Sequence, residues 1–315
     1  MDEMKKIATR EAYGQVLAAL AEENDRIVVL DADLAGSTQT AKFAKVAPER
    51  FVDCGIAEQD MVGVAAGLAT CGKIPFVSSF AVFATGRAFE QIRNTVCYGK
   101  LNVKIAATHA GITVGEDGGT HQSIADLAIM RVLPGMTVLC PADAVSTAWA
   151  VRTAAEIDGP VYIRLGRLAA PVLYEEGQEF SLGKGRLLRA GTDIALFATG
   201  MMVAEALEAA ELLAAEGIKA AVVDIHTIKP LDTELVCAQA ERCGAVLTIE
   251  EHSIIGGLGS AVAETLLENG VHPIFHRVGM NDCFGQSGSP AALLKYYGLH
   301  AEAIVGQAKA TLARK

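Results

Sequence analysis

The stretch that decides the fold is residues 137–164, which read TVLCPADAVSTAWAVRTAAEIDGPVYIR. Two short apolar runs, at residues 137–139 and 161–164, flank a segment with helical periodicity at residues 144–157. This order predicts a strand, a helix and a second strand. The strands are apolar along most of their length rather than alternating, so both faces of their sheet must be covered. The stretch therefore predicts a parallel sheet in an α/β fold.

The same alternation extends from this unit in both directions. Apolar strands are predicted before it at residues 27–30, 74–78 and 103–108, and after it at 194–198, 220–224 and 245–250. Helices are predicted at residues 10–23, 61–70, 88–98, 202–215, 232–242 and 259–268. We expect two α/β domains, each a mostly parallel sheet with helices on both faces.

The alternation stops between the two groups of strands. Residues 168–190 contain a proline, two adjacent glutamates and three glycines, a composition typical of a connection. We predict a first domain at residues 1–170, a linker at 171–189 and a second domain at 190–315. The length of 315 residues agrees with two domains of roughly 150 residues each.

Composition narrows the class of protein. Hydrophobic residues make up 51% of the chain and charged residues only 20%, so the chain can bury a large core and is not a disordered segment. The net charge of −10 argues against nucleic acid and anionic membranes as partners. No apolar run reaches the ~18 residues of a membrane span.

The cysteines and the N-terminus bear on the compartment. The seven cysteines are an odd number and include no C-x-x-C pair. Cys54, Cys71, Cys97 and Cys140 lie in apolar or glycine-rich contexts, as is typical of reduced core cysteines. Residues 1–6, MDEMKK, are charged and lack the apolar region of a signal peptide. We therefore expect a cytoplasmic protein.

The first candidate for chemistry is Glu58, in the run DCGIAEQDM at residues 53–61. It stands just before an apolar, small-residue helix, where the partial positive charge of a helix N-terminus tolerates an anion. One interpretation is an ordinary first-turn acid. The other is a carboxyl group in apolar surroundings, whose pKa would be raised and which could share a proton with a ligand.

Two aromatic residues and an arginine form a second candidate. Phe80 and Phe83 follow a predicted strand, and Arg87 comes four residues later. The phenylalanines either pack in the core or form a platform for a flat ring.

The third candidate is a glycine-rich loop. Its 13 residues from His109 to His121 contain these two histidines and the carboxyl groups of Glu116 and Asp117. It follows a predicted strand, and α/β proteins bind ligands beyond the carboxyl ends of their strands. The pattern favours a polar substrate site. A metal site stays possible although the spacing matches no zinc motif, and so does a purely structural loop.

Arginines and a second glycine cluster complete the candidates. Arg10, Arg164 and Arg167 either bind phosphate or carboxylate groups through bidentate forks or form surface ion pairs. The run GGLG at residues 256–259 imitates a dinucleotide fingerprint incompletely, since valine occupies the position of the last glycine. Close packing of a helix on a sheet is the better interpretation.

Three of these motifs together closely resemble the pyrimidine-binding domain of transketolases. They are IAEQ at residues 56–59, F-x-x-F at residues 80–83 and GEDGGTHQ at residues 115–122. The resemblance extends to residues 6–10, 31–37 and 161–167 and continues into a transketolase C-terminal domain. It thus covers essentially the whole chain.

One family motif is absent from the sequence. Transketolases bind the diphosphate and metal ion of their cofactor with a domain that carries Gly-Asp-Gly, and no Gly-Asp-Gly occurs here. The resemblance therefore implies the C-terminal subunit of a split transketolase that uses thiamine diphosphate. It implies an N-terminal partner subunit that holds the diphosphate and a Mg or Ca ion, with no metal site in this chain. It also implies self-dimerisation within an α2β2 assembly.

The resemblance implies roles for individual residues. Glu58 corresponds to the glutamate that hydrogen-bonds N1′ of the aminopyrimidine ring. Phe83, with Phe80 beside it, corresponds to the aromatic wall on which that ring stacks, and Asp33 lies near the cofactor. On the sugar side, the family's contacts to hydroxyls and reacting oxygens correspond to His109, Asp117 and His121. Its phosphate-binding group corresponds to Arg10, Ser37 and Arg167.

The implied reaction transfers a two-carbon ketol unit from a ketose phosphate to an aldose phosphate, with Glu58, His109 and His121 as the catalytic residues. The sugars are open, in pentose phosphate metabolism or a specialised pathway, and so is the role of Arg87. Two other functions remain: the β subunit of the decarboxylase component of a 2-oxo acid dehydrogenase, and a non-catalytic partner subunit. A deoxyxylulose-phosphate synthase fits less well because it keeps all three domains in one chain.

Overall fold

A computed structural model describes residues 5–315 of the chain. Residues 1–4, part of the charged N-terminal stretch used above, lie outside the described residues. The strands, in chain order, are β1 (Lys6–Ala8), β2 (Ile27–Asp31), β3 (Phe51–Asp53), β4 (Ile74–Ser78), β5 (Lys104–Ala107), β6 (Thr137–Leu139), β7 (Val161–Arg164), β8 (Ala169–Pro171), β9 (Arg186–Arg189), β10 (Ile194–Ala198), β11 (Ala220–Asp224), β12 (Thr227–Lys229), β13 (Ala245–Ser253) and β14 (Ile274–Met280).

Helices alternate with the strands along most of the chain. They are α1 (Thr9–Glu23), α2 (Ala35–Thr38), α3 (Ala41–Val46), α4 (Glu58–Thr70), α5 (Asp126–Arg131), α6 (Ala144–Glu156), α7 (Met202–Ala215), α8 (Thr233–Cys243), α9 (Leu258–Glu268), α10 (Pro290–Tyr296) and α11 (Ala301–Leu312). No helix among the described residues is long and apolar enough to cross a membrane.

The unit at residues 137–164 folds as its sequence predicts. β6 and β7 pair in parallel, with Val138 opposite Tyr162, and α6 connects them. They lie inside a seven-stranded sheet of order β12-β6-β7-β5-β4-β2-β3, in which only β12 is antiparallel to its neighbour. Because β12 comes from the second half of the chain, that half completes the first sheet.

A second sheet has the order β14-β13-β10-β11-β9. Its strands are parallel except β9, an edge strand that lies within the predicted linker. β1 and β8 form a separate antiparallel pair. The predicted α/β fold with two mostly parallel sheets is confirmed, whereas the bounds of the two domains stay a prediction.

Alternate residues of the central strands point into different cores, which explains their continuous apolar character. In β2, Val28 and Leu30 belong to one buried cluster, while Ile27 and Val29 belong to another on the opposite face. The first of these clusters also contains Phe197 of β10, so it fills the space between the two sheets. A third cluster covers the far side of the second sheet. Both faces of each sheet are therefore buried, as expected for parallel strands.

The segment predicted as helical at residues 88–98 contains a helix of the π type, Gln91–Cys97, and a second π-helical segment, Val82–Arg87, precedes it. The buried side chains Ala84, Ala88 and Ile92 recur every four residues, a spacing that α-helical and π-helical turns both allow. An apolar pattern alone does not separate the two helix types, and π-turns often occur at functional sites.

The cysteine interpretation holds only in part. All seven cysteines are free thiols, and Cys97 and Cys140 are buried. Cys71 is exposed and Cys54 is half-buried, so these two are not core residues. Cys54 directly follows β3 and Cys71 directly follows α4, where the chain returns to the surface. The residues around these two cysteines do not reveal that position.

Candidate active site

Glu58 is the first residue of α4 and only 1% of it is exposed to solvent. β3 ends at Asp53, and Gly55 turns the chain with φ of +66° before the helix begins. The helix N-terminus supplies partial positive charge to the carboxylate. Arg87 Nη1 donates to Glu58 Oε2 at 2.7 Å, so the buried carboxylate lies in an ion pair rather than in wholly apolar surroundings.

Arg87 is placed by the π-helical segment Val82–Arg87. Its guanidinium carbon lies 4.7 Å from the centroid of the Phe83 ring, in a cation–π contact. Gln59, the neighbour of Glu58 on α4, donates from Nε2 to the backbone oxygen of Arg87 at 3.1 Å. The sequence left the role of Arg87 open, and the structure places it between Glu58 and Phe83.

The two phenylalanines and two histidines of the candidate set pack together. Phe80 stacks on His109, with ring centroids 3.8 Å apart and planes 20° apart. Phe83 meets His121 edge to face at 5.3 Å and lies parallel to Phe80 at 6.1 Å. Phe80 is buried, so the half-buried Phe83 is the ring that keeps accessible surface.

His109 is a buried, neutral imidazole. Its Nδ1 lies 2.9 Å from Thr108 Oγ1 and its Nε2 lies 3.5 Å from Arg10 Nη1. Burial, followed by the charges of Arg10 and Arg167, lowers the pKa of His109 to about 3. Because a guanidinium can only donate, Nε2 is the acceptor in that contact and Nδ1 carries the hydrogen toward Thr108. The backbone φ of His109 is +57°, so the turn itself is unusual for a non-glycine residue.

Two guanidinium groups approach one another beside His109. Arg10 Nη1 donates to the backbone oxygen of Ser37 at 2.8 Å, and Arg167 Nη1 donates to the backbone oxygen of Val114. Burial and the nearby charge of Arg167 lower the pKa of Arg10. An anion would relieve this repulsion, so the pair has the charge required of an anion site. Asp117 Oδ2 lies 3.9 Å from Arg167 on the exposed side.

Asp33 stands apart from these residues. It is exposed, has φ of +60°, and its backbone N–H donates to Asp53 Oδ1 at 3.1 Å. The neighbouring Asp31 is fully buried and accepts hydrogen bonds from Leu34 N–H and from the hydroxyls of Thr38 and Thr40. Asp31 therefore shapes the segment that carries Asp33 and Ser37, a role for which its place at a strand end was the only signal in the sequence.

The glycine-rich loop (residues 109–122) brings the remaining candidates to the same place. His121 Nδ1 lies 2.9 Å from Thr120 Oγ1. Gln122, which is buried, donates from Nε2 to the backbone oxygen of Ile112 at 3.1 Å and to that of Gln286 at 3.0 Å. The loop thus touches residues of the second half of the chain. Direct contacts thus connect seven of the residues to which the resemblance assigns roles, and these are Glu58, Phe80, Phe83, His109, His121, Arg10 and Ser37. Arg167 and Asp117 form a neighbouring pair, and the charge of Arg167 acts on Arg10 and His109.

Arg164 is not available to a ligand. Only 7% of its side chain is exposed, and Nε donates to Asp126 Oδ2 at 2.7 Å. Its Nη2 donates to the backbone oxygen of Glu251 at 2.8 Å. Neither a phosphate-binding role nor a surface ion pair describes it, because it lies in a buried network between the two sheets.

The glycines at residues 256–259 serve packing. Glu250 accepts hydrogen bonds from the backbone N–H groups of Leu258 and Gly259 at 2.7 and 2.8 Å, and so occupies the N-terminus of α9 where a nucleotide phosphate would bind. A Cβ at Gly257 would collide with that carboxylate. Within residues 5–315, no three His, Cys, Asp or Glu side chains group as metal ligands.

Residues 5–172 match the transketolase pyrimidine-binding domain, and residues 183–304 match the transketolase C-terminal domain. The chain belongs to the transketolase family. It is 54% identical over 297 residues to a transketolase C-terminal section from Methanocaldococcus jannaschii, which covers 94% of this chain and 93% of that protein.

Two further proteins are similar to this chain over nearly their full length. A 6-deoxy-6-sulfo-D-fructose transketolase subunit from a Clostridium strain is 48% identical over 306 residues, covering 97% of this chain and 95% of the relative. A solved structure described as a split gene transketolase, inactive beta4 tetramer, superposes with a TM-score of 0.89 at 56% identity, covering 98% of this chain and 99% of that one. The chain therefore corresponds to the C-terminal section of a split transketolase.

Proposed function

We propose that this chain is the catalytic C-terminal subunit of a two-subunit, thiamine diphosphate-dependent transketolase. The observation that carries the proposal is the placement of Glu58, buried at a helix N-terminus, beside Phe83 and within one connected group that also holds His121, His109 and Arg10. The group lies in the part of the chain that matches the pyrimidine-binding domain. The reaction transfers a two-carbon ketol unit from a ketose to an aldose.

The residues fit an aminopyrimidine ring. Arg87 engages Glu58 Oε2, which leaves Oε1 as the oxygen able to share a proton with N1′. Phe83, with Phe80 behind it, supplies an aromatic face for a flat ring. Asp33, which stands apart from these side chains, would approach the cofactor from the segment after β2. Once bound, the cofactor supplies the nucleophilic carbon and the electron sink of the reaction. Glu58 holds the proton at N1′, and the surrounding side chains exclude water from that bond.

The histidines and arginines form the sugar side of the proposed site. His109 and His121 lie against the two phenylalanines, where they can orient the reacting oxygens of a sugar. Asp117 accepts hydrogen bonds from sugar hydroxyls. Arg10 and Arg167, with Ser37 beside Arg10, hold the anionic end of the sugar. The relative that acts on a sulfosugar suggests that this end is a phosphate or a sulfonate.

The proposed partner is an N-terminal transketolase subunit that carries the Gly-Asp-Gly motif. That subunit would hold the diphosphate and a Mg or Ca ion, and each active site would form where the two subunits meet. Copies of this chain would pair within an α2β2 assembly. The solved relative described as an inactive tetramer of β subunits supports both self-association and the need for a partner.

Reconstitution tests the proposed function. The purified chain is assayed for ketol transfer from xylulose 5-phosphate, alone and after mixing with its N-terminal partner subunit, thiamine diphosphate and Mg²⁺. We expect activity only in the mixture. Turnover by the isolated chain at ordinary enzyme rates would contradict the two-subunit reading. Activity of the mixture on a 2-oxo acid with an artificial electron acceptor would instead favour the 2-oxo acid dehydrogenase alternative.

A further inference from the structure

The glycine-rich loop lies in the pyrimidine-binding domain by sequence, but it packs against the C-terminal domain. Ile112 is fully buried in the apolar cluster that covers the far side of the second sheet. Ser287 Oγ donates to the backbone oxygen of Glu116 at 2.8 Å. The conformation of this loop therefore depends on residues more than one hundred positions later in the chain.

Glu251, in β13, makes the central contact. Its Oε1 accepts a hydrogen bond from the backbone N–H of Thr113 at 2.6 Å, and only 3% of the residue is exposed. The carboxylate also lies against Gly111, whose φ is +82° and where any Cβ would collide with it. Arg164 binds the backbone oxygen of Glu251 from the first domain, so the glutamate is fixed at both its backbone and its side chain.

Along the chain, Glu251 contacts the loop between His109 and Val114, the residue whose backbone oxygen binds Arg167. Gly111 follows His109 by two positions, and Val114, next to Thr113, receives Arg167 through its backbone oxygen. A change in the conformation of residues 111–114 would therefore act on the backbone that carries His109 and on the oxygen that orients Arg167. Together with the burial of Ile112 and the contact from Ser287, this carboxylate of the C-terminal domain holds the segment.

We propose that Glu251 is a positioning residue of the sugar site, which acts by holding Thr113 N–H and Gly111 so that His109 and Arg167 keep their orientation. Its consequence for catalysis rests on the proposed transketolase function. Its consequence for the loop does not. The C-terminal domain thereby has a task at the active site without contributing a group that touches substrate.

The test uses the complex with the N-terminal subunit and compares Glu251→Ala, Glu251→Gln and Glu205→Ala. Glutamine keeps an acceptor oxygen for Thr113 N–H, whereas alanine removes it. Glu205 is the matched control, because it also accepts a backbone N–H in the same domain, from Ala301 at 2.9 Å, but lies away from the loop. Four quantities are measured: hydrogen exchange of residues 109–122, the thermal unfolding midpoint, kcat and KM for xylulose 5-phosphate, and the Kd of thiamine diphosphate.

For Glu251→Ala we expect loop exchange at least about tenfold faster and KM raised about tenfold, the effect of losing one buried hydrogen bond. The Kd of thiamine diphosphate should stay within about twofold, since Glu251 contacts Gly111 and Thr113 and neither Glu58 nor Phe83. Glu251→Gln should restore KM and loop exchange. Glu205→Ala should lower the unfolding midpoint without changing KM or loop exchange.

Three results would overturn the proposal. The first is unchanged loop exchange in Glu251→Ala, and the second is faster exchange with unchanged KM and kcat. The third is an equal rise of KM in Glu205→Ala, which would show that any loss of domain stability has this effect. If the wild-type complex shows no ketol transfer, the proposed function fails, and loop exchange in the same variants then decides whether Glu251 holds the loop.

Discussion

Arg87 Nη1 and Glu58 Oε2 lie 2.7 Å apart and join two segments separated by 29 residues. Glu58 begins an α-helix, while Arg87 ends a π-helical segment and covers the Phe83 ring. One partner is almost fully buried and the other is half-exposed. The pair therefore fixes the orientation of a buried carboxylate from the solvent side, where an arriving ring would meet both groups.

Glu58→Gln should abolish most ketol transfer by the reconstituted complex. Glutamine keeps the shape of the side chain but cannot share a proton, and loss of such a group costs about 10²–10⁴-fold in rate. Asp60→Asn is the matched control, because Asp60 is an exposed acid in the same helical turn. Steady-state assays measure both variants. Near-normal turnover of Glu58→Gln would remove Glu58 from the mechanism.

His109 should stay neutral from about pH 4 to pH 8. Its pKa is lowered to about 3, mainly by burial and next by the charge of Arg10. Arg10→Met should therefore raise the pKa of His109 while leaving it below that of a free imidazole, because burial persists. Ring resonances in NMR spectra recorded across this range measure it, with the exposed His272 as an internal control. A His109 ring that titrates near pH 6.5 would contradict the prediction.

Gly111→Ala should destabilise the chain more than Gly217→Ala. Both glycines have positive φ, +82° and +84°, but only at Gly111 would a Cβ meet other atoms, those of Glu251. An alanine at positive φ should lower the free energy of unfolding by about 1–2 kcal/mol at either position. The collision at Gly111 should lower it by a further amount of about 1–3 kcal/mol. Urea unfolding of the two variants gives the difference. Equal losses would show that the carboxylate moves aside without cost.

Asp224 should make the chain less stable as pH rises from about 4 to about 7. It is fully buried in β11 and accepts a hydrogen bond from the Tyr174 hydroxyl at 2.7 Å, and burial raises its pKa from 3.8 to about 7. In this window the folded chain binds a proton that the unfolded chain has lost. The free energy of unfolding should therefore fall by up to about 1.4 kcal/mol per pH unit.

Asp224→Asn should remove this part of the pH dependence, because asparagine is neutral and still accepts the Tyr174 hydroxyl. Asp25→Asn serves as the control, since Asp25 is exposed. Urea unfolding at pH 5 and pH 8 measures both variants against the wild type. A pH dependence that survives in Asp224→Asn would assign it to other groups.

The candidate site was readable in part from sequence. Glu58, Phe83 and His121 come from three separate motifs. Phe83 and His121 follow predicted strands, so their meeting at one sheet edge follows from a parallel sheet, whereas Glu58 was placed only by the helix predicted after it. Arg164 was misjudged because its partners, Asp126 and the backbone of Glu251, are distant in the chain. Arg164 ends β7 and Arg167 follows three residues later, and sequence spacing does not show which of the two points inward.

The sequence by itself determined the α/β class, the two sheets and the motifs of the site, because continuous apolar strands and glycine-led turns are local patterns. Only the tertiary structure decided the ion pair of Arg87 with Glu58, the π-helical turn that carries Arg87, and the hold of Glu251 on the glycine-rich loop. These three features depend on where each segment lies once the sheets and helices have packed together. Contacts between residues 29 or 138 positions apart are set by the packing of whole elements, which no local pattern encodes.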